Sequence, residues 1–341
     1  MEPVNLKTLA ERLNLSISTV SKALNDSYEI TAETKKKVLA LAQELNYQPN
    51  PFASSLRRHK SKTIAVILPE IANNFFALAI NGIEAVAVEH GYHVLIYLTH
   101  EDYNREVAIT QLLLNGRVDG VLMSLASTTE NQNHLLELRK KDLPIVFFDR
   151  VSEDDAVSKV TTDDFESGYN ATQHLVDQGC RRIAHLMFPG HLSIGRKRRD
   201  GYLQALLDNN LPNDPELILS CNNNSTQNYN AILDLLKSNN RPDGIFASIE
   251  KLALNTYAAC AELNLSIPDD VKLISFSNLE TAQLLHPSLT TITQPAYDIG
   301  KEAATLLFKA LKRKPVGPET AVLKSVLIKR NSTAIRSTGN V

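Results

Sequence analysis

Two short helical patterns joined by a turn open this 341-residue chain, and they restrict its fold more than any other feature. Apolar residues recur at helical spacing over Leu6–Leu13. Ser16 is a favourable N-cap for a second helix over Ile17–Leu24, and Asn14 tolerates the left-handed backbone that such a turn needs. The pattern predicts a helix-turn-helix unit, a motif whose second helix lies in the major groove of DNA.

A third amphipathic helix is predicted over residues 32–45, with Thr31 as its N-cap. It would complete a three-helix head, although a helical bundle with no DNA function would show the same apolar stripe. Residues 1–60 contain nine Lys or Arg and six Asp or Glu. This segment therefore carries a formal charge of +3, and −5 is left for the rest of a chain whose total is −2. The asymmetry favours contact between the head and phosphates.

A short basic segment follows the predicted head. Asn50 as a cap and Pro51 at the first helical position predict a helix of about two turns, which would end before Arg57. Because so short a helix is marginal in water, we expect it to fold only when docked. Leu56 is interpreted as an apolar wedge for the minor groove of DNA. An ordinary interdomain linker with an incidental leucine is the alternative.

From residue 61 onward the pattern changes to alternating strands and helices. Strands are predicted over residues 63–69, 93–98, 120–124, 144–149, 182–188, 244–248 and 271–276. Helices are predicted over residues 75–91, 106–115, 168–179 and 199–209. Such alternation indicates an α/β core of parallel sheets with helices on both faces, and its repetition after Val160 indicates two lobes around a cleft. Residues 290–295 and 322–329 are expected to cross between the lobes.

The chain shows no pattern of a membrane segment or of a known catalytic site. No apolar run approaches the roughly 18 residues of a membrane span, and the first residues lack a secretory signal pattern, so we expect a cytoplasmic protein. Cys180, Cys221 and Cys260 are widely spaced and are interpreted as reduced thiols. Motifs for phosphate-binding loops, nucleophile elbows and zinc-binding helices are missing. We therefore expect no enzyme activity, no metal and no cofactor.

The segment over residues 6–58 resembles the DNA-binding head and hinge of the lactose-repressor (LacI) family of bacterial transcription regulators. The matching sequence motifs, in chain order, are Leu9-Ala10, Ser18-Thr19-Val20-Ser21-Lys22-Ala23-Leu24-Asn25, Tyr47-Gln48-Pro49-Asn50 and Ala53-Ser54-Ser55-Leu56. The resemblance implies that Ile17, Ser18 and Lys22 read bases, and that two subunits together insert Leu56 into the operator.

The residues expected to contact DNA are Leu6, Ile17, Ser18, Thr19, Ser21, Lys22, Asn25, Tyr47, Asn50, Ala53, Ser54, Leu56 and Arg57. Family members often carry a basic residue where this chain has Ser54. One phosphate or minor-groove contact is therefore expected to be missing there.

The resemblance extends over the rest of the chain and implies a periplasmic-binding-protein-like core, in which hinge closure traps a small ligand. Candidate effector-binding residues lie at the cleft where strands end. They are Asn74, Phe75, Phe76, Asp149, Arg198, Asn223, Ser277 and Gln294. Arg198 and Gln294 match family positions that contact the effector, whereas Phe75 and Phe76 are equally well interpreted as core residues at the start of a helix.

Two cleft positions depart from the family pattern. Ser277 stands where family members usually carry an aspartate, and Ile249-Glu250 replaces an Asn-Asp pair. The missing carboxylate at Ser277 removes an acceptor for vicinal hydroxyls, and Arg198 favours an anion. The effector is expected to be a carbohydrate or a derivative of one, with modified or acidic sugars and sugar phosphates among the candidates.

These observations predict a dimeric, sequence-specific transcription regulator, foremost a repressor, that binds a palindromic operator and responds to a small effector. The ligand either releases DNA or is required for binding. The predicted domains are a head over residues 1–48, a hinge over 49–61, a core over 62–331 and a polar tail over 332–341. The predicted lobes are 62–160 with 291–321, and 161–290 with 322–331. One alternative is a solute-binding protein without DNA function. The other is an enzyme, although no set of residues in the sequence indicates which reaction it would catalyse.

Overall fold

The computed structural model describes residues 4–47, 60–188, 192–312 and 317–335. The chain divides into two compact units, a head over Met1–Ser61 and a core over Lys62–Val341. In the described residues, no helix is both long and apolar enough to span a bilayer.

The helices of the head are α1 (Leu6–Leu13), α2 (Ile17–Leu24) and α3 (Ala32–Glu44). Each begins at a side chain that accepts a backbone N–H of the first turn, and these N-caps are Asn5, Ser16 and Thr31. Asn14 ends α1 in the left-handed conformation, with φ of 50°. Leu9, Val20 and Val38 contribute one fully buried side chain from each helix to the core of the head. The predicted helix-turn-helix and its caps are confirmed.

The core contains two six-stranded sheets. Its strands are β1 (Thr63–Leu68), β2 (His93–Leu98), β3 (Gly120–Met123), β4 (Ile145–Phe148), β5 (Ser158–Thr162), β6 (Ile183–Met187), β7 (Ile218–Ser220), β8 (Gly244–Ala247), β9 (Lys272–Phe276), β10 (Thr290–Thr293), β11 (Thr320–Leu323) and β12 (Val326–Ile328). Its α-helices are α4 (Asn74–Glu89), α5 (Tyr103–Leu113), α6 (Asn133–Lys140), α7 (Asp164–Asp177), α8 (Ser193–Asp208), α9 (Ser225–Lys237), α10 (Glu250–Glu262) and α11 (Ala296–Leu311).

The two sheets have corresponding strand orders. The first runs β11-β5-β4-β3-β1-β2, and all its neighbouring strands are parallel. The second runs β12-β10-β9-β8-β6-β7, and only β12 is antiparallel to its neighbour. Helices cover both faces of each sheet, which is why the central strands are continuous apolar runs rather than alternating ones. We call each sheet with its helices a lobe, the first and the second.

The lobes are connected by three crossings of the chain, and each lies a few residues beyond the predicted lobe boundary, the first because β5 runs to Thr162. The two late crossings fall within residues 290–295 and 322–329, where crossings were predicted. β10 belongs to the second sheet, so the chain crosses at Gln294-Pro295 and not at residue 291. β11 belongs wholly to the first sheet, so the return crossing lies at Lys324-Ser325 and not at residue 322. Hydrogen bonds with the neighbouring strand determine to which sheet β10 and β11 belong. The hydrophobic pattern of the sequence does not reveal these bonds.

The predicted polar tail also begins too early. Ser332 and Thr333 are buried, although both are polar. The Ser332 hydroxyl donates to the Leu273 carbonyl at 2.6 Å and accepts from the Thr290 amide at 2.8 Å. These two hydroxyl side chains therefore belong to the second lobe.

One pair of helices in each lobe approaches closely through glycine. A Cβ on Gly300 of α11 would lie 2.0 Å from the Ala79 carbonyl oxygen of α4. A Cβ on Gly201 of α8 would lie 2.1 Å from the Phe165 carbonyl oxygen of α7. Real Cβ atoms do not approach backbone this closely, so only glycine permits these crossings.

Candidate DNA-binding head and effector cleft

The outer face of α2 carries most of the predicted DNA contacts that the structure describes. Ile17, Ser18 and Lys22 are exposed, and Ile17 keeps 44% of its surface in solvent although it is apolar. The Ser16 hydroxyl accepts from the Thr19 amide at 3.0 Å and so fixes the start of the helix. Lys22 pairs with Glu29. This surface offers an apolar side chain and a hydroxyl in the first turn of one short helix and a cation in its last turn.

Thr19 and Ser21 of α2 are half-buried, and the remaining predicted contacts lie outside this helix. Leu6 and Tyr47 are partly buried against the core of the head, and Asn25 donates to the Ser21 carbonyl at 2.7 Å. Asn50, Ala53, Ser54, Leu56 and Arg57 lie outside the described residues. Tyr28, in the loop between α2 and α3, was not among the predicted contacts, and 93% of its surface is exposed.

An inner pocket of about 40 Å³ lies in the cleft of the core. Six of the eight predicted effector-binding residues line it: Phe75, Phe76, Asp149, Arg198, Ser277 and Gln294. Asn74 hydrogen-bonds to a residue of this pocket, and Asn223 lines a second, outer cavity. Phe75 and Phe76 also belong to the core of the first lobe, with their ring centroids 5.3 Å apart. These two residues therefore both line the pocket and pack in the core.

Arg198 is held from three sides inside the second lobe. Its Nε donates to Asp164 Oδ1 at 2.8 Å, and one terminal nitrogen donates to the Ser248 carbonyl at 2.8 Å. The guanidinium carbon lies 3.6 Å from the centroid of the Phe276 ring. Burial raises the pKa of the Asp164 carboxyl, while the Arg198 charge opposes that rise. Two of the three guanidinium nitrogens of Arg198 thus donate to the protein itself.

Arg150, directly after β4, is held differently in the first lobe. One terminal nitrogen donates to both Glu101 carboxylate oxygens, at 2.7 and 2.8 Å. The guanidinium lies between the Phe76 and Phe188 rings, 5.8 and 5.7 Å from their centroids. Its buried Nε has no hydrogen-bond partner and lies 3.9 Å from Asp149 Oδ2. The guanidinium is therefore fixed mainly by Glu101 within the first lobe.

Asp149 is a buried carboxylate at the same strand end. Its backbone is left-handed, with φ of 60°, which turns the chain sharply after β4. Burial raises the pKa of Asp149 to about 6, and the charges of Arg150 and Arg198 oppose that rise. A hydroxyl that donates to this carboxylate would favour its charged form.

Glu250, at the start of α10, was noted in the sequence only because it differs from the family pattern, and it was not predicted as an effector-binding residue. Its Oε2 accepts from the Ser277 hydroxyl at 3.0 Å, and its Oε1 lies 3.5 Å from Asn74 Nδ2 across the cleft. The Ser277 hydroxyl itself accepts from the Leu279 amide at 3.0 Å, which aims its proton at Glu250. The carboxylate that is missing at position 277 is therefore supplied from a neighbouring helix.

The outer cavity has a volume of about 520 Å³ and adjoins the inner pocket, with which it shares Asn73, Arg150 and Ile249. Amide side chains dominate its polar lining, namely Asn73, Asn222, Asn223, Asn228 and Asn255. Two contacts cross the cleft here: Asn223 Nδ2 donates to Ser127 Oγ at 2.9 Å, and Lys251 pairs with Glu70. Within the described residues, no cluster of three or more His, Cys, Asp or Glu side chains has the arrangement of a metal site.

Comparisons with known proteins agree with this architecture. Residues 5–50 match the model of the bacterial regulatory proteins of the lacI family, and residues 61–334 match that of periplasmic binding proteins and the sugar binding domain of the LacI family. The HTH-type transcriptional regulator RegA of Clostridium saccharobutylicum is 30% identical and covers 96% of this chain and 99% of its own length. The HTH-type transcriptional repressor CytR of Escherichia coli K12 is 30% identical, with 96% of both chains covered.

A solved complex of the transcriptional regulator CelR with cellobiose has a TM-score of 0.73 and 25% identity, covering 96% of this chain and 99% of that one. Both family models together account for the head and the core, and the curated relatives match over nearly their full length. The chain therefore belongs to the LacI family of bacterial regulatory proteins.

Proposed function

We propose that this protein is a sequence-specific DNA-binding repressor whose affinity for its operator is controlled by a carbohydrate effector bound between the two lobes of the core. The observation that carries this proposal is the joint presence, in one chain, of a capped helix-turn-helix and a cleft with convergent polar side chains. Relatives that match most of the chain are named as transcriptional regulators, and CelR is described with a bound disaccharide.

In the head, α2 is proposed to lie in the major groove, with Ile17, Ser18 and Lys22 facing the bases. The segment over residues 49–61, most of it outside the described residues, is proposed as the hinge that inserts Leu56 into the minor groove. Because the target is chromosomal DNA, the protein is proposed to act in the cytoplasm. It is also proposed to catalyse no reaction, because the relatives that match most of the chain are named as transcriptional regulators.

A second copy of the chain is the proposed partner of the core. β2 is an edge strand of the first sheet, and its consecutive residues Leu95 and Ile96 are both exposed. Since neighbouring strand residues point to opposite faces, this edge is uncovered on both sides. Pairing two cores there gives the two-fold symmetry that a palindromic operator requires. Leu95→Asp is expected to yield monomers in light scattering, whereas Leu207→Asp, at an exposed leucine of the second lobe, leaves the dimer intact.

Closure of the lobes is the proposed switch. The two lobes are joined by three chain crossings, and contacts such as Asn223–Ser127 span the cleft between them. A ligand that bridges the lobes favours the closed arrangement, and coupling of this kind is typically about 1–3 kcal/mol. Whether closure releases DNA or strengthens binding is read from the sign of the ligand's effect on affinity.

The test is DNA binding by the full-length protein, first by selection from random DNA and then against the selected palindrome. Lys22→Ala is expected to weaken binding about tenfold or more, since it removes a cation from the proposed reading helix. Leu56→Ala is expected to weaken it as well. Lys36→Ala removes an exposed lysine of α3 and serves as the matched control. Failure to enrich any sequence would sink the regulator and favour the solute-binding alternative.

A further inference from the structure

Glu250 differs from the other carboxylates that line the cleft. Glu101 is bound by Arg150, Glu70 by Lys251, and Asp149 has the Arg150 Nε at 3.9 Å. In the described residues, Glu250 makes no ion pair, and its polar contacts come from two neutral groups, the Ser277 hydroxyl and the Asn74 amide. A half-buried carboxylate thus faces the inner pocket with spare acceptor capacity.

The cations of the cleft are already engaged. Arg198 is paired with the buried Asp164, Arg150 with Glu101, and Lys251 with Glu70. A phosphate or a carboxylate that entered the inner pocket would have to compete with a protein carboxylate for every one of these cations. It would also lie against Glu250 and Asp149, and like charges in a partly buried site repel strongly.

The pocket volumes indicate which part of a ligand meets Glu250. An inner pocket of about 40 Å³ admits only a terminal polar group, while the adjoining cavity of about 520 Å³ has room for the body of a sugar-sized molecule. The amides of the outer cavity suit hydroxyls, because an amide offers both a donor and an acceptor. The polar group of a ligand that fits the inner pocket therefore faces Glu250 and Asp149.

We propose that Glu250 is the specificity-determining residue of the effector cleft, and that it selects a polyhydroxylated ligand whose inner end is uncharged or carries an amino group, against the corresponding phosphates and sugar acids. This proposal rests on the proposed function, because it names the chemistry of the same effector. It reverses the expectation that Arg198 favours an anion, since that arginine is neutralised within its own lobe. The carboxylate comes from α10 instead of from the end of β9.

The experiment measures binding to the full-length protein by calorimetry, with matched sets of probes: glucose, glucosamine, glucuronate and glucose 6-phosphate, then cellobiose, and then ribose with ribose 5-phosphate. A neutral or amino member is expected to bind, and its anionic counterpart to bind at least tenfold more weakly. Glu250→Gln is expected to weaken the preferred ligand about tenfold, the usual effect of removing a charged hydrogen-bond acceptor. The same variant is expected to narrow the gap between neutral and anionic members.

Two further variants separate a specificity role from a structural one. The double variant Glu250→Gln with Ser277→Asp returns a carboxylate to the end of β9 and is expected to restore discrimination against the phosphate. Glu216→Gln removes an exposed carboxylate of the second lobe that lines neither cavity, and is expected to change nothing.

An anionic probe that binds the wild type more tightly than its neutral parent would overturn the proposal. Unchanged affinities in a folded Glu250→Gln protein would overturn it as well. Selective ligand binding that leaves operator affinity unaffected would instead count against the proposed switch, while the charge selection by Glu250 would stand.

Discussion

The two lobes share a strand order, but they hold their cleft arginines in different ways. In the second lobe, Arg198 is bound by Asp164 and the Ser248 carbonyl and stacks on a phenylalanine. In the first lobe, one terminal nitrogen of Arg150 donates to Glu101, and the buried Nε makes no hydrogen bond but lies 3.9 Å from Asp149 Oδ2. Both arginines are thus paired with a carboxylate of their own lobe, and Arg198 in addition donates to a main-chain carbonyl and stacks on an aromatic ring.

The largest expected effect comes from breaking the second-lobe pair. Arg198→Met leaves the Asp164 side chain, 1% exposed, as an uncompensated buried charge and should lower the free energy of unfolding by about 3–5 kcal/mol. Urea denaturation measures this loss. The double variant Arg198→Met with Asp164→Leu should recover part of it. Arg150→Met leaves the Glu101 side chain, 10% exposed, without its cation and should also lower stability. The loss should be smaller than for Arg198→Met, because the Ser127 amide still donates to Glu101, and an equal loss in both single variants would contradict the contrast between the lobes.

The second largest effect is expected in the pH dependence of stability, to which Asp149 of the first lobe contributes. The pKa of Asp149 is about 6 in the folded protein, against an ordinary value of 3.8, so the folded state holds its proton longer than the unfolded state does. Stability is therefore free of this penalty below about pH 3.8 and falls as the pH rises towards 6. The penalty at neutral pH is at most about 3 kcal/mol.

Asp149→Asn should remove this fall, which urea denaturation between pH 4.5 and 7.5 would show as a difference from the wild type. The comparison with the wild type matters because burial raises the pKa of Asp164 as well, with the same sign. A variant that keeps the full pH dependence would assign it to the second lobe.

Variants at the glycine-mediated helix crossings test whether the two lobes are alike in helix packing as well as in strand order. Gly300→Ala in the first lobe and Gly201→Ala in the second should each cost about 1–3 kcal/mol, because the added Cβ meets a backbone carbonyl at 2.0 or 2.1 Å. Gly317→Ala, where a Cβ meets nothing within 4 Å, is the control. Thermal denaturation that is sensitive to only one of the two crossings would show that the lobes differ in packing as well as in charge.

The smallest effect is expected between the lobes. Lys251→Met removes the pair with Glu70 across the mouth of the cleft, and the lysine side chain is 53% exposed. An exposed pair of this kind contributes less than about 1 kcal/mol to stability. A loss above 2 kcal/mol in urea denaturation would contradict a cleft that opens and closes easily.

Local patterns predicted much of this architecture. Ser16, Thr31 and Asn14 occupy the caps and the turn expected of them, and β2 has the predicted bounds. α6, α9, α10 and α11 were not predicted. In α9 and α10, the apolar faces are interrupted by polar residues that line the outer cavity, such as Asn228 and Asn255. The role of Glu250 could not be predicted, because it depends on bringing residue 277 beside the start of α10 in space.

The crossings at residues 294–295 and 324–325 impose an order on biosynthesis. The sheet of the first lobe lacks its edge strand β11, and one of its faces lacks α11, until the ribosome has added about 160 residues beyond β5, which takes roughly 10–30 s. The head has all its helices from the outset. The nascent chain thus has all three helices of its head long before either lobe is complete, and the apolar face of the first lobe near α4 waits for α11 to cover it.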